Sequence, residues 1–204
     1  MNTKLKICGI RREEDILMVN SIKPQYIGFV FAKSKRQIDL KTAINLKSKL
    51  YPNIKSVGVF VDEPITNVIR AVESKAIDIV QLHGDESNLY ISQIKSLVNV
   101  EVIKAIRINK EFNKNIDFSA ADYLLIDSGK GSGKVFDWNI SVNFNKPLFI
   151  AGGINIENIE DAFIKFKPFA FDLSSSVEEN GVKNFDKMKE IHLKLESLNG
   201  EYYE

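Results

Sequence analysis

Two side chains that could move protons, one thiol and one carboxyl, each end a short apolar run. Cys8, the sole cysteine, ends residues 5–8, and Asp127 ends residues 123–127. Taken alone, a lone cysteine is most often a small buried residue, and an aspartate in such a position often caps a turn. The alternative is chemistry at the carboxyl ends of two strands, where an α/β barrel places its catalytic groups.

Paired glycines follow a third apolar run. Gly152 and Gly153 come directly after residues 147–151, and Asn155 is placed to cap a helix. Such a segment exposes backbone N–H groups at a helix N-terminus, where the helix dipole favours an anion. The arrangement favours phosphate, with an ordinary tight turn as the alternative.

A serine run follows the last apolar run, residues 170–173. Ser174 and Ser175 begin it, and Ser175 with Glu178 has the S-x-x-E spacing of a capping box, which predicts the start of a short helix. In a barrel, this loop and the glycine loop would follow strands seven and eight, where a phosphate is commonly bound. Their pairing favours phosphate binding over two unrelated turns.

Two further residues have weaker local signals. His83 could contact a ligand or hydrogen-bond the backbone of a turn, and Arg36 could pair bidentately with a carboxylate or lie solvated in a loop. For Arg36 the local sequence alone favours the solvated loop. The glycine-rich segment 128–134 is a mobile loop or a close approach to a ligand. It is not a Walker motif, because Val135 follows its Gly-Lys pair.

Apolar runs and amphipathic stretches alternate along the whole chain. The runs are rich in Val, Ile and Phe, as strands buried on both faces are. We predict eight parallel strands, at residues 5–8, 26–31, 56–61, 77–81, 100–106, 123–127, 147–151 and 170–173. We predict six helices, at residues 11–21, 40–50, 65–75, 86–97, 156–166 and 185–198.

Eight strand–helix units predict an α/β fold, a compact (β/α)₈ barrel that forms one domain over residues 1–204. An open doubly wound sheet is the rival, and the count of eight favours the barrel. The crossovers at 109–121 and after strand six look reduced. Asp39 and Thr66 are plausible helix caps.

Composition excludes several classes of protein. The chain carries 28 Lys and Arg against 27 Asp and Glu, a net charge of +1. It therefore lacks the excess of basic residues that would indicate nucleic-acid binding. One cysteine and two histidines exclude a closed Cys/His zinc site. No signal peptide or apolar span is visible, and a cytoplasmic protein follows by default.

These pieces together resemble the phosphoribosylanthranilate isomerase family. The matching segments occur in family order and cover nearly the whole chain, at residues 6–9, 28–31 with Ser34 and Arg36, 57–61, 81–86, 103–105, 131–138, 151–154 and 172–175. Each segment is weak alone, but the ordered set is specific. The resemblance implies the conversion of N-(5′-phosphoribosyl)anthranilate to 1-(2-carboxyphenylamino)-1-deoxyribulose 5-phosphate, an Amadori rearrangement of tryptophan biosynthesis.

The resemblance also implies roles for single residues. Cys8 matches the general base, Asp127 the general acid, Arg36 the residue that meets the anthranilate moiety, and Asp172 the residue beside its amino group. The glycine pair and Ser174-Ser175 match the phosphate grip. Such an acid–base pair requires the pKa of the thiol to fall from about 8.5 and that of the carboxyl to rise from about 3.9.

The resemblance implies a small phosphosugar substrate, no metal and no organic cofactor, and leaves a monomer or a homodimer open. The chain departs from the family at Ser176, where members usually have Gly; if the position needs a positive φ, Ser costs stability there. Other phosphosugar barrels and a non-catalytic binding barrel are the competing interpretations. The presence of both Cys8 and Asp127 argues against the binding barrel.

Overall fold

Eight parallel strands hydrogen-bond in chain order and close into a barrel. The structure is a computed structural model that describes residues 2–107, 118–127 and 145–203. The barrel strands are β1 (Lys4–Cys8), β2 (Tyr26–Val30), β3 (Lys55–Phe60), β4 (Ile79–Leu82), β5 (Glu101–Arg107), β6 (Tyr123–Asp127), β7 (Leu148–Ala151) and β8 (Ala170–Leu173). The predicted barrel is confirmed, and the open sheet is excluded because β1 pairs with both β2 and β8.

Six helices lie between or after the strands, where the periodicity predicts them. They are α1 (Glu13–Ile22), α2 (Leu40–Ser48), α3 (Ile65–Glu73), α4 (Asn88–Leu97), α5 (Ile159–Phe166) and α6 (Phe185–Tyr203). A short hairpin of β9 (Glu178–Glu179) and β10 (Val182–Lys183) precedes α6. The sequence predicts two reduced crossovers. In the first, at 109–121, residues 118–121 form a turn and the rest lies outside the described residues. The second contains the glycine-rich segment 128–134, which also lies outside them.

Strand alternation sorts the core into two clusters. The smaller cluster draws its buried members from seven barrel strands and no helix, and therefore fills the barrel. The larger contains the alternate strand residues together with helix residues, as when helices cover the outside of a sheet. In β6, for example, Leu125 belongs to the inner cluster, whereas Leu124 and Ile126 belong to the outer one. Asp127, two residues after Leu125, is thereby directed to the barrel's mouth.

Helix caps agree with the sequence in one case of two. Asp39 accepts a hydrogen bond from the Thr42 N–H at 2.7 Å, as predicted for the start of α2. The prediction for Thr66 is wrong, because α3 already begins at Ile65. Pro64 precedes it with φ −54°, a value that its ring fixes and that suits the start of a helix. Proline also has no backbone N–H that would need a hydrogen-bond partner there.

Among the described residues, no helix has both the length and the apolar character that crossing a membrane requires.

Candidate active site

A cavity of about 510 Å³ opens at the carboxyl ends of the strands. Parallel strands of a closed barrel all end on the same face, so residues far apart in sequence converge there. All nine residues singled out from the sequence line this cavity: Cys8, Arg36, His83, Asp127, Gly152, Gly153, Asp172, Ser174 and Ser175.

Cys8 ends β1 and is buried, with 9 % of its surface exposed. Its neighbour in the register is Gly28 of β2, and a Cβ at that glycine would lie 2.6 Å from the Cys8 sulfur. The Gly28 position is therefore glycine because the thiol occupies the space. Ser174 donates from its hydroxyl to the Cys8 carbonyl at 3.2 Å, which ties the serine loop to the end of β1.

Burial raises the pKa of the Cys8 thiol above its usual value, although the ammonium of Lys6 opposes that shift. The expectation that this pKa falls is therefore wrong for the described structure. The physical reason is desolvation: burial, together with the negative charge of Asp172, disfavours the thiolate more than the cations Lys6 and Lys183 favour it. Lys6 remains the group best placed to help the thiolate form.

Lys6 and Asp172 form a buried ion pair beneath Cys8. The ammonium lies 2.8 Å from Asp172 Oδ2, with side-chain exposures of 0 % and 7 %. Burial lowers the pKa of Lys6, but Asp172 and Cys8 together raise it more, so the net shift is upward. The other carboxylate oxygen, Oδ1, is buried and has no hydrogen-bond partner among the described residues. Asp172 thus lines the cavity with Oδ2 held by Lys6 and Oδ1 buried beneath the surface.

Asp127 ends β6, three strands around the closed barrel from β1, and lines the same cavity. His83 Nε2 lies 3.0 Å from Asp127 Oδ2, and Gln81 Nε2 lies 3.1 Å from His83 Nδ1. Gln81 and His83 are two residues apart at the end of β4, so they share one face of the strand. Sequence reasoning passed over Gln81, although its i, i+2 spacing from His83 was a usable signal.

Arg36 meets a carboxylate bidentately, as its residue type allows, but the partner is the protein's own Glu178. The two hydrogen bonds, Nε to Oε1 and Nη2 to Oε2, measure 2.6 and 2.7 Å. Lys183 also donates to Glu178 Oε1, at 2.9 Å. Burial raises the pKa of Glu178, but these two cations lower it more, to about 2. Sequence analysis missed this partnership because nothing local connects residues so far apart.

The capping box predicted for Ser175 and Glu178 is wrong. Residues Ser175–Val177 form a single 3₁₀ turn, and Glu178 lies at its carboxyl end. Its side chain points to Arg36 and Lys183, whose two charges attract the carboxylate more strongly than a backbone N–H would.

The backbone at Ser176 nevertheless does not require a glycine. Ser176 lies within the 3₁₀ turn and is not among the described residues with positive φ. The cost expected for Ser in place of Gly is therefore absent from the backbone.

The glycine loop does need its glycines. Gly152 and Gly153 have φ of 79° and 72°, in the left-handed region that L side chains rarely adopt. Asn155 does not cap α5 directly; its Oδ1 accepts from the backbone N–H of Glu157 at 2.9 Å, and α5 begins only at Ile159. The loop therefore presents a tight turn that lines the cavity, with a helix start further on.

Comparison with known sequences places this site in context. A sequence model of the family described as N-(5′-phosphoribosyl)anthranilate (PRA) isomerase matches residues 5–193. The N-(5′-phosphoribosyl)anthranilate isomerase of Endomicrobium trichonymphae is 46 % identical over 200 residues, covering 96 % of this chain and 99 % of the relative. That of Thermoanaerobacter sp. (strain X514) is 43 % identical over 203 residues, covering 96 % and 98 %.

Solved structures agree in fold. Phosphoribosyl anthranilate isomerase from Thermus thermophilus superposes with a TM-score of 0.85 at 32 % identity, covering 96 % of this chain and all (100 %) of that one. A phosphoribosyl anthranilate isomerase in complex with reduced 1-(o-carboxyphenylamino)-1-deoxyribulose 5-phosphate gives 0.80 at 30 %, covering 96 % and 99 %. Monomers generated from the dimeric Thermotoga maritima isomerase give 0.81 at 31 %, covering 96 % and 98 %. The chain belongs to the N-(5′-phosphoribosyl)anthranilate isomerase family.

Proposed function

We propose that Cys8 and Asp127 are the general base and general acid with which this chain isomerises N-(5′-phosphoribosyl)anthranilate to 1-(2-carboxyphenylamino)-1-deoxyribulose 5-phosphate. As a member of its family, the chain is an isomerase of tryptophan biosynthesis. The observation that carries the residue assignment is the convergence of a thiol and a carboxyl on one cavity of about 510 Å³.

The order of strands supports opposite positions for acid and base. Cys8 ends β1 and Asp127 ends β6, and in the closed order two strands, β7 and β8, separate them. From β6 to β1 is three of the eight strand-to-strand steps around the barrel, or three-eighths of its circumference. A sugar in the mouth can therefore be approached from two sides, which a combined ring opening and C2′ deprotonation requires.

In the first step, Asp127 gives its proton to the furanose oxygen, and the C1′–oxygen bond breaks to form a Schiff base with the anthranilate nitrogen. The cationic Schiff base makes the C2′ proton acidic. The Cys8 thiolate then removes that proton, and the electron pair moves into an enolamine, which tautomerises to the ketone. Only protons and electron pairs already in the substrate move, so the route uses no external oxidant or reductant.

The buried cations support the base. A thiol whose pKa is raised by burial supplies little thiolate. Two cations stabilise the thiolate: Lys6, held 2.8 Å from Asp172, has the larger effect, and Lys183 adds to it. Asp172 shares the Lys6 ammonium, so Cys8, Lys6 and Asp172 form one charged group under the sugar. Asp172 lines the cavity, which supports its place beside the substrate's amino group.

Arg36 supports recognition of the anthranilate carboxylate. Its Nε and Nη2 are held by Glu178, whereas Nη1 has no hydrogen bond to the described residues. The guanidinium is thus oriented before substrate arrives, with a donor left for a second carboxylate. Preorganisation of this kind lowers the entropy lost on binding.

The loops after β7 and β8 support a phosphate site. The left-handed Gly152 and Gly153 and the serines Ser174 and Ser175 line the same cavity, and the turn lets backbone N–H groups approach an anion closely. A base that must stay a free thiol favours a reducing compartment, so we place the reaction in the cytoplasm.

The fluorescence of the anthranilate group tests the proposal. Wild type should quench the fluorescence of freshly prepared phosphoribosylanthranilate. Cys8→Ala and Asp127→Asn should each lose at least about 100-fold in kcat, the usual contribution of a general acid or base. His192→Gln, on α6 beside the opposite end of the barrel, is the matched control and should keep wild-type turnover. Near-normal turnover by Cys8→Ala would refute the base assignment.

A further inference from the structure

Three side chains at the mouth form a hydrogen-bonded chain that ends on the proposed acid. Gln81, with 1 % of its surface exposed, lies 3.1 Å from His83 Nδ1, and His83 Nε2 lies 3.0 Å from Asp127 Oδ2. We propose that Gln81 is a positioning residue that holds His83 in the ring tautomer complementary to each protonation state of Asp127, and so aligns the proton that Asp127 exchanges. The inference rests on the proposed role of Asp127 as acid.

The hydrogen-bond donors and acceptors of Gln81 and His83 determine which ring nitrogen carries the proton. The Gln81 amide nitrogen can only donate, so the His83 Nδ1 that it faces must accept. A neutral imidazole carries one proton, which is then on Nε2 and is donated to Asp127 Oδ2. The arrangement therefore stabilises Asp127 as a carboxylate, the form that it has after giving its proton to the sugar.

The form of Asp127 that is ready to react as an acid is the protonated carboxyl. A protonated Asp127 donates to His83 Nε2, which must then be an acceptor, so the ring proton moves to Nδ1. Nδ1–H needs an acceptor, and Gln81 Oε1 is buried without a partner among the described residues. A half-turn of the amide brings Oε1 to Nδ1 at nearly the same position. His83 is 20 % exposed, so its ring can exchange this proton with water.

The backbone around His83 is braced, so the side chains carry the change. The carboxylate of Glu86 accepts from the Gly84 N–H at 3.0 Å. Lys104 donates to Glu86 at 2.7 Å and to the Gly84 carbonyl at 2.6 Å, and this ion pair is buried. A turn fixed at both its N–H and its carbonyl leaves the amide and the ring as the movable parts.

The test reads the tautomer directly by the ¹⁵N chemical shifts of the His83 ring. The chain has two histidines, so His192→Gln leaves His83 as the single signal. At a pH where Asp127 is ionised, this background should show the proton on Nε2. Gln81→Met, similar in size but unable to hydrogen-bond, should give a mixture of tautomers. Gln81→Glu, which only accepts at neutral pH, should move the proton to Nδ1.

Kinetics supply the second readout. Gln81→Met should lower kcat on the order of tenfold with little change in KM, less than the loss of the acid itself, because alignment of the proton is impaired while the carboxyl remains. Gln81→Glu should keep more activity than Gln81→Met. A merely structural Gln81 would change stability and leave the tautomer on Nε2 in both variants.

An unchanged tautomer in both variants, or a loss confined to KM, would overturn the inference. These outcomes are distinguishable from a failure of the proposed function. Full activity of Asp127→Asn would remove the acid role whatever the ring nitrogens show, whereas an inactive Asp127→Asn with an unmoved His83 tautomer would refute the relay alone.

Discussion

Arg36 and Glu178, 142 residues apart in the chain, hold each other through two hydrogen bonds of 2.6 and 2.7 Å at the rim of the cavity. The pair joins the loop after β2 to the hairpin after β8. Because Lys183 and Lys35 also pair with this carboxylate, one anion is shared by three cations, a surplus of positive charge of which Arg36 and Lys35 line the cavity. Such a surplus suits a substrate that carries both a carboxylate and a phosphate.

Removing the anion should weaken substrate binding more than turnover. In Glu178→Gln the guanidinium loses its oriented partner, and we expect KM to rise about tenfold, or about 1.4 kcal/mol, with kcat within about threefold. Glu179→Gln is the control, since that exposed side chain contacts Asn184 only among the described residues. Steady-state kinetics on both variants test this. Equal KM values in wild type and Glu178→Gln would show that Arg36 is oriented without its help.

The same carboxylate should make stability depend on acid. The pKa of Glu178 is about 2 in the folded protein against 4.5 for an ordinary glutamate. A depressed pKa stabilises the fold above about pH 4.5, and this contribution is lost as pH falls toward about 2. Urea unfolding at several pH values should therefore show a smaller loss across this window for Glu178→Gln than for wild type. Parallel curves for the two proteins would contradict the assignment.

The sole thiol should titrate late. Burial raises the pKa of Cys8 above its usual value, so thiolate absorbance in the ultraviolet should appear only at alkaline pH. The kcat/KM of wild type should climb over the same range if thiolate is the base. Cys8→Ser gives the blank for the absorbance, because no other thiol is present. Thiolate already formed at neutral pH would show that Lys6 outweighs the burial.

Gly28 should resist substitution for a steric reason. A Cβ there would lie 2.6 Å from the Cys8 sulfur and 3.0 Å from its Cα, so the base would be displaced. We expect Gly28→Ala to lose about 1–3 kcal/mol of stability by overpacking, and most of its activity. Gly200→Ala in α6, where nothing lies within 4 Å, should be neutral or stabilising. Thermal unfolding and the fluorescence assay measure both; an active, stable Gly28→Ala would mean that the thiol can move freely.

The strands and helices could be predicted from local pattern. Apolar runs ending in Cys8 and Asp127 predict strands whose last inward residues are functional, because alternation in a strand has a fixed period of two. The cap at Asp39 is equally local. The Thr66 cap failed because the backbone of Pro64 began the helix earlier than the side-chain signal indicates.

The polar network around the site could not be predicted in this way. Lys6 with Asp172, Arg36 with Glu178 and Lys104 with Glu86 are pairs between different strands or loops. The capping-box pattern of Ser175 and Glu178 gave a wrong prediction because the Glu178 carboxylate binds cations distant in sequence more strongly than it binds a local backbone N–H. The pKa of Cys8 also depends on how much protein surrounds it, which no spacing expresses.

By itself, the sequence determined the eightfold alternation and which residue types end each strand, since both follow from short-range periodicity. The tertiary structure alone decided which charged side chains pair, that the Cys8 thiol is desolvated, and that the Gln81 amide faces the Nδ1 atom of His83. Those outcomes depend on the closure of the barrel, which brings the ends of all eight strands around one cavity and replaces water with protein.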